Sequence, residues 1–126
     1  MNYTNGNRYF GVVKDEKPHG HGTLFRYANG EERFEGEFVM GVPQGYGTTT
    51  YSEKEFHEGY YKNGKYEGFG TYEFESGAKY EGKYRNGVQE GDGTYHYENG
   101  DVVKGTYVNG ILDGPAVYKY ESGEVF

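Results

Sequence analysis

Lys79-Tyr80-Glu81-Gly82-Lys83-Tyr84-Arg85-Asn86-Gly87 is the stretch that decides the fold. Tyr80, Gly82 and Tyr84 share one parity, while Lys79, Glu81 and Lys83 share the other. That two-residue period belongs to a strand. Asn86-Gly87 then closes it, and Asn-Gly between alternating runs predicts a type I′ hairpin, whose two central residues both need positive φ. After a short link, Gly91-Asp92-Gly93-Thr94-Tyr95-His96-Tyr97 alternates again, and Asn99-Gly100 turns the chain onward. The unit reads as a β-hairpin joined to its successor by a second hairpin.

The unit recurs along the chain, and all 23 glycines fall into five columns. The first is Gly11, Gly36, Gly59, Gly82 and Gly105; the second is Gly20, Gly45, Gly68, Gly91 and Gly114. The third is Gly22, Gly47, Gly70 and Gly93, with Ala116 in the last place. Two turn columns complete the set: Gly41, Gly64, Gly87 and Gly110, then Gly6, Gly30, Gly77, Gly100 and Gly123. A fixed period of this kind marks a repeat architecture. The units run over about 9–31, 32–55, 56–78, 79–101 and 102–124, with 1–8 and 125–126 as partial units. The longest glycine-free stretch, Thr48 to Glu58, begins Thr-Thr-Thr-Tyr, a poor start for a helix. The expected fold is all-β: one domain, an elongated, twisted antiparallel β-meander of about five stacked 23-residue hairpins.

Composition alone argues the other way. Leu, Ile, Val and Phe make up less than about a fifth of the 126 residues and the net charge is −7, a disorder signature. The 16 Tyr and 8 Phe offset it because they are ordered into rows. One inward row is Tyr9, Phe34, His57, Tyr80 and Val103; a second is Val13, Phe38, Tyr61, Tyr84 and Tyr107. A third is Leu24, Thr49, Tyr72, Tyr95 and Tyr118, and a fourth Tyr51, Phe74, Tyr97 and Tyr120. Glycine weakens a strand unless something must approach closely, so the glycine columns predict rings packed over them. At ~2–3 kcal/mol per buried aromatic, such rows offset the entropy of ordering a small sheet.

These motifs resemble the MORN (membrane occupation and recognition nexus) repeat family, whose unit reads approximately Y-E-G-x-[WYF]-x-N-G-x-x-x-G-x-G-T-Y. Tyr80-Glu81-Gly82-Lys83-Tyr84-Arg85-Asn86-Gly87, followed by Glu90-Gly91-Asp92-Gly93-Thr94-Tyr95, fits it best, and the likeness runs from about Tyr9 to Phe126. Tyr3 to Gly6 resembles the end of a preceding unit. Glu32-Arg33-Phe34-Glu35-Gly36-Glu37-Phe38-Val39 and Gly105 to Ala116 are also similar to the MORN-containing N-terminal region of a SET-domain histone lysine methyltransferase. That likeness implies a non-catalytic N-terminal piece and a nuclear location. Three departures from the pattern stand out. Asp15-Glu16 replaces the Asn-Gly turn, two extra residues between Gly22 and Gly36 suggest a bulge or longer loop, and Lys54-Glu55 stands where glycine is expected.

Nothing in the pattern points to catalysis, cofactor or metal. There is no Cys, which excludes thiolate chemistry and fits a reducing compartment. His19 and His21 lie two apart without a third ligand, and read as loop histidines. His57, in an aromatic column, reads as a packed, hydrogen-bonded core residue. Glu35, Glu58 and Glu81, and likewise Gln44, Glu67, Glu90 and Asp113, form periodic solvated columns, whereas acid catalysis needs two carboxylates in unlike surroundings. The Gly-x-Gly pairs precede no helix, so they are not dinucleotide loops. Ser52, Ser76 and Ser122 lie in or near turns, away from any His and Asp arrangement.

The expectation is therefore a non-enzymatic scaffold that docks a protein segment, such as an amphipathic helix, in an aromatic groove. Phe38, Tyr61, Tyr84 and Tyr107, with Tyr72 and Tyr95, are the candidate contacts. The runner-up is peripheral phospholipid binding, which the family name implies. Only Lys62, Lys65, Lys79, Lys83, Arg85 and Lys104 suit headgroups, and acids outnumber bases 20 to 13. The same balance disfavours nucleic acid. A further expectation is a homo-oligomer formed by terminal edge strands, Met1 to Tyr3 and Glu124 to Phe126, pairing end to end. With no basic-apolar leader at Met1, a cytoplasmic protein is expected, associated with cytoskeleton or membrane.

Overall fold

The computed structural model describes residues 2–27 and 31–121. Ten strands follow one another: β1 (Arg8–Lys14), β2 (Lys17–Arg26), β3 (Glu32–Val39), β4 (Val42–Thr50), β5 (Phe56–Lys62), β6 (Lys65–Glu73), β7 (Lys79–Arg85), β8 (Val88–His96), β9 (Val102–Val108) and β10 (Ile111–Lys119). They form a single sheet in sequence order, each pair antiparallel. No helix occurs among the described residues. The expected meander is the observed fold.

Each odd strand meets the next even strand through a two-residue turn with positive φ at both residues, as at Asn86 (53°) and Gly87 (87°). That is the type I′ geometry the sequence predicts. Asp15 and Glu16 adopt it too, at 50° and 63°, although neither is glycine. The opposite turns at 74–78 and 97–101 span five residues and close with a repeated pair of bonds, while in 51–55 both Tyr51 and Ser52 N–H donate to the Glu55 carbonyl. Phe74 N–H donates to the Ala78 carbonyl and Gly77 N–H to the Phe74 carbonyl, both at 2.9 Å. The same pair recurs from Tyr3 to Asn7, so Tyr3 to Gly6 takes the form of a unit's closing turn, as its resemblance implied.

Two local expectations are corrected. The extra residues between Gly22 and Gly36 make neither a bulge nor a longer loop. The β2–β3 register runs unbroken from Gly20↔Phe38 to Arg26↔Glu32, so the insertion lengthens the hairpin by one cross-strand pair. Arg26 and Glu32 close it with an ion pair at 2.8 Å. The short link after Asn86-Gly87 is likewise strand, since β8 begins at Val88. The irregularity lies one step further on, where the register between β7 and β8 shifts around Gly91. Gly91 has φ 98°, and Gly20, Gly45, Gly68 and Gly114 are alike at 69–85°. The second glycine column therefore exists to make a bulge in each even strand, not to receive a ring.

The first and third columns do receive rings. Gly47 faces Gly36 across the strands, and a Cβ placed on Gly47 would fall 2.6 Å from the Phe34 ring. The corresponding approach is 2.2 Å from Tyr9 at Gly22, 2.6 Å from His57 at Gly70 and 2.4 Å from Tyr80 at Gly93. Each ring thus lies flat over the next strand and touches, edge-on, a ring of the following repeat. Tyr9–Phe38, Phe34–Tyr61, His57–Tyr84 and Tyr80–Tyr107 have centroids 5.3, 4.8, 5.0 and 5.2 Å apart, with interplanar angles of 76–89°. Edge-to-face packing at this separation is favourable beyond the area it buries. With Phe34–Phe38, His57–Tyr61 and Tyr80–Tyr84 it makes one zigzag of eight rings from β1 to β9. A single-layer sheet so builds its own core. In the fifth unit the flat ring is replaced by Val103, and there alone the third column admits a methyl group, at Ala116.

Neighbouring repeats are also latched at their turns. Gly41, Gly64, Gly87 and Gly110 donate their N–H to the carbonyls of Pro18, Pro43, Tyr66 and Gln89. Beside each bond the preceding turn residue donates to a side chain: Met40 to His19 Nδ1, Asn63 to Gln44 Oε1, Asn86 to Glu67 Oε1 and Asn109 to Glu90 Oε2, at 2.8–3.2 Å. Gln44, Glu67 and Glu90 of the column read as a solvated stripe form an inter-repeat clasp to which His19 belongs, while Asp113 on the last strand is exposed. His21, beyond the Gly20 bulge, stands 3.5 Å from Glu37 instead.

Candidate interaction face

Cross-strand pairing fuses two rows expected to be separate. Tyr9, Leu24, Phe34, Thr49, His57, Tyr72, Tyr80, Tyr95, Val103 and Tyr118 form one row across all ten strands of the inner face. Its odd-strand members lie flat and buried. Its even-strand members stand higher, with Tyr72 and Tyr95 half-buried and Tyr118 exposed.

Of the six candidate contacts, Phe38, Tyr61, Tyr84 and Tyr107 are core, at 1%, 5%, 6% and 7% exposure. They are covered because each is the edge-on partner of a flat ring. Tyr84 also reaches a groove of about 320 Å³ lined by Tyr66, Tyr72, Phe74, Val88 and Gln89. Tyr72 and Tyr95 belong to a continuous ladder whose consecutive centroids are 4.7–6.0 Å apart: Tyr51, Tyr72, Phe74, Tyr95 and Tyr97. Two of the six therefore present a surface, joined by the fourth row, which the sequence reading named as a row but did not count among the contacts. Its spacing, two residues after each third-row position, was the available signal.

The ladder is braced from below. Tyr51 and Tyr66 share a hydroxyl–hydroxyl hydrogen bond, and Thr49 bonds the Tyr61 hydroxyl. Tyr72 donates to Glu55, whose other oxygen accepts from Glu75 N–H. Burial pushes the Tyr61, Tyr66, Tyr72 and Tyr84 phenols far up, so they stay neutral hydrogen-bonding groups. Lys54-Glu55 stands where the turn glycine was expected, with Lys54 in the glycine register, and Ser52 Oγ accepts from the N–H groups of both.

His57 departs from its expected role. It is packed, at 0% exposure, stacked on Tyr66 with centroids 3.6 Å apart and planes 12° apart. Yet neither ring nitrogen has a hydrogen-bond partner among the described residues. Tyr9 and Tyr80 use their hydroxyls to reach the Val12 and Lys83 carbonyls, and imidazole has no such group. The smaller ring fits because Tyr66 is large; Pro18, Pro43, Gln89 and Leu112 hold that place in the other units. Desolvation lowers His57 to about 4.

Charge is divided between the faces. By strand alternation Lys62, Lys65, Lys79, Lys83, Arg85 and Lys104 all point outward; of the strand cations only Arg26 shares the inner face, held by Glu32. On the outer face Glu35, Glu58 and Glu81 alternate with Thr48, Thr71 and Thr94 along one cross-strand row. The Lys79 hydrogen bond at 2.9 Å, with lesser help from His96, holds Glu81 below the usual carboxylate range. Tyr46, Tyr60 and Phe69, at 50–55% exposure, make an outer aromatic patch that the sequence reading overlooked. Among the described residues no group of three or more His, Cys, Asp or Glu is placed to hold a metal ion. Met1 and Glu124 to Phe126, where end-to-end pairing was expected, lie outside the described residues, as does Ser122.

The family model for the MORN repeat matches five times, over residues 9–31, 34–54, 57–79, 80–102 and 104–125. The chain belongs to the MORN repeat family. No curated protein matches it. MORN arrays are non-catalytic repeat modules in general, commonly used for protein or membrane interaction.

Proposed function

We propose that this MORN array is a non-enzymatic docking scaffold that takes a helical segment of a partner protein along the aromatic groove of its inner face. The observation that supports this is the groove of about 320 Å³ over Tyr66, Tyr72, Phe74 and Tyr84. Its walls are fixed from beneath by ring packing and phenol hydrogen bonds, so little ordering cost falls on binding. Phospholipid binding is the weaker reading, because the inner face offers headgroups no unpaired strand cation and the outer cations alternate with acids.

Selection of helix-length peptides on the folded chain tests the proposal, with Tyr72→Ala and Tyr95→Ala as groove variants. Co-sedimentation with phosphatidylserine and phosphoinositide vesicles runs beside it at low and physiological salt. Recovered peptides that lose binding to the groove variants, without pelleting by vesicles, are the expected result. Salt-sensitive pelleting, or peptides indifferent to both variants, overturns it.

A further inference from the structure

The inner-face ladder also carries a chemical preference, which rests on the docking reading above and narrows it. Five rings, Tyr51, Tyr72, Phe74, Tyr95 and Tyr97, run in contact across β4 to β8 and their turns, with Tyr97 47% exposed. Each ring face is a region of negative potential that attracts a cation within about 6 Å. Carboxylates stand at both ends. Glu55 is held against Tyr72 by the phenol hydrogen bond, and exposed Glu98 follows Tyr97 directly in the turn that Tyr97 N–H closes onto the Asp101 carbonyl. Arg26, the one strand cation on this face, is neutralised by Glu32 at 2.8 Å. The whole chain carries −7, so the field at long range has the same sign as the site.

We propose that the ladder selects a basic segment, in which Lys or Arg side chains lay their aliphatic stems on the rings and direct their charges to Glu55 and Glu98. A stem of three or four methylenes covers an aromatic face while its head stays hydrated, the division that half-exposed rings beside carboxylates require. An acidic or purely aliphatic segment would leave both carboxylates facing like charge or hydrocarbon.

The test uses two fluorescein-labelled amphipathic peptides of about 18 residues, or five helical turns. One places Leu at i, i+3, i+4 and i+7 positions with Lys elsewhere, and the other has the same pattern with Glu for Lys. Anisotropy titrations compare them on the whole chain, with Tyr97→Leu and Glu98→Gln as ladder variants. Glu58→Gln removes the same charge from the outer face. The Lys peptide is expected to bind at least tenfold tighter than the Glu peptide and to weaken severalfold from low salt to ~0.15 M. It should lose affinity with both ladder variants and keep it with Glu58→Gln. Equal loss with Glu58→Gln would reduce the effect to net charge and overturn the proposal. A Glu peptide that binds as tightly, and is still displaced by Tyr72→Ala, would overturn the preference while leaving the groove standing. Binding of neither peptide would remove this proposal. If groove-dependent peptides still emerge from selection, the docking reading survives it.

Discussion

Acid should loosen this protein at its middle, through His57. The imidazole is fully enclosed by Tyr61, Tyr66, Tyr72 and Tyr84 from β5, β6 and β7, with Thr49 from β4 opposite it in the register. None of those neighbours offers a carboxylate to balance an imidazolium, and Glu55, two residues before His57, is engaged by Tyr72. The native pKa of about 4 lies below the ordinary 6.5, so the folded state favours the neutral ring. The corresponding stability is present above pH 6.5 and is lost as pH falls through 4. At about 1.4 kcal/mol per unit, the difference reaches roughly 2 kcal/mol by pH 5 and roughly 3 by pH 4. For a chain of this size that is a fall in Tm of roughly 6–10 °C by pH 5. The assay is thermal or urea unfolding of the wild type and His57→Phe from pH 7 to 4.5. The comparison of slopes matters, because two opposed terms act at neutral pH. Phenylalanine removes a buried unpaired N–H, a gain of about 1–3 kcal/mol, but crowds Tyr66, a cost of similar size. Acid-sensitive groups elsewhere cancel between the two proteins. Parallel curves would refute the reasoning, as would an NMR titration that places His57 near 6.5.

Gly93→Ala should cost about 3 kcal/mol or abolish cooperative unfolding, since its methyl would sit 2.4 Å from the Tyr80 hydroxyl. Adding Tyr80→Val, the Val103–Ala116 arrangement of the fifth unit, should recover part of that loss in a double-mutant cycle read by urea midpoint. Glu16→Gly should raise stability by about 1 kcal/mol, because φ 63° is strained for glutamate and free for glycine. An unchanged midpoint would show that the strain is absent. Glu90→Ala should lower stability by about 1 kcal/mol by freeing the Asn109 N–H, while Glu90→Gln should cost much less, as Gln44 already does this work. Equal effects of the two Glu90 changes would rule out the clasp.

The repeat period, the strand parity and the Asn-Gly turns were legible because each depends on residues adjacent in the chain. Ring over glycine was legible too, since the two recur in fixed register. What the sequence hid were consequences of placing one repeat beside the next. Gln44, Glu67 and Glu90 look like solvated surface until the following turn is set against them. The Gly91 column resembles the ring-receiving columns until the register shift shows that its φ is what matters. Phe38, Tyr61, Tyr84 and Tyr107 resemble groove lining because parity alone cannot tell a ring that stands up from one capped by its neighbour two strands away.

Because every repeat adds two strands in an unchanging register, the inner face is graduated like a ruler, with a mark about every 9.6 Å. A helix laid along it rises that distance in about six residues. A partner that keeps pace with several marks must therefore repeat its own contacts at about that interval, and a shift by one mark would present it with nearly the same aromatic surface. His57 and Tyr66 break that equivalence, standing in the third repeat alone. They give an otherwise uniform scale a zero point.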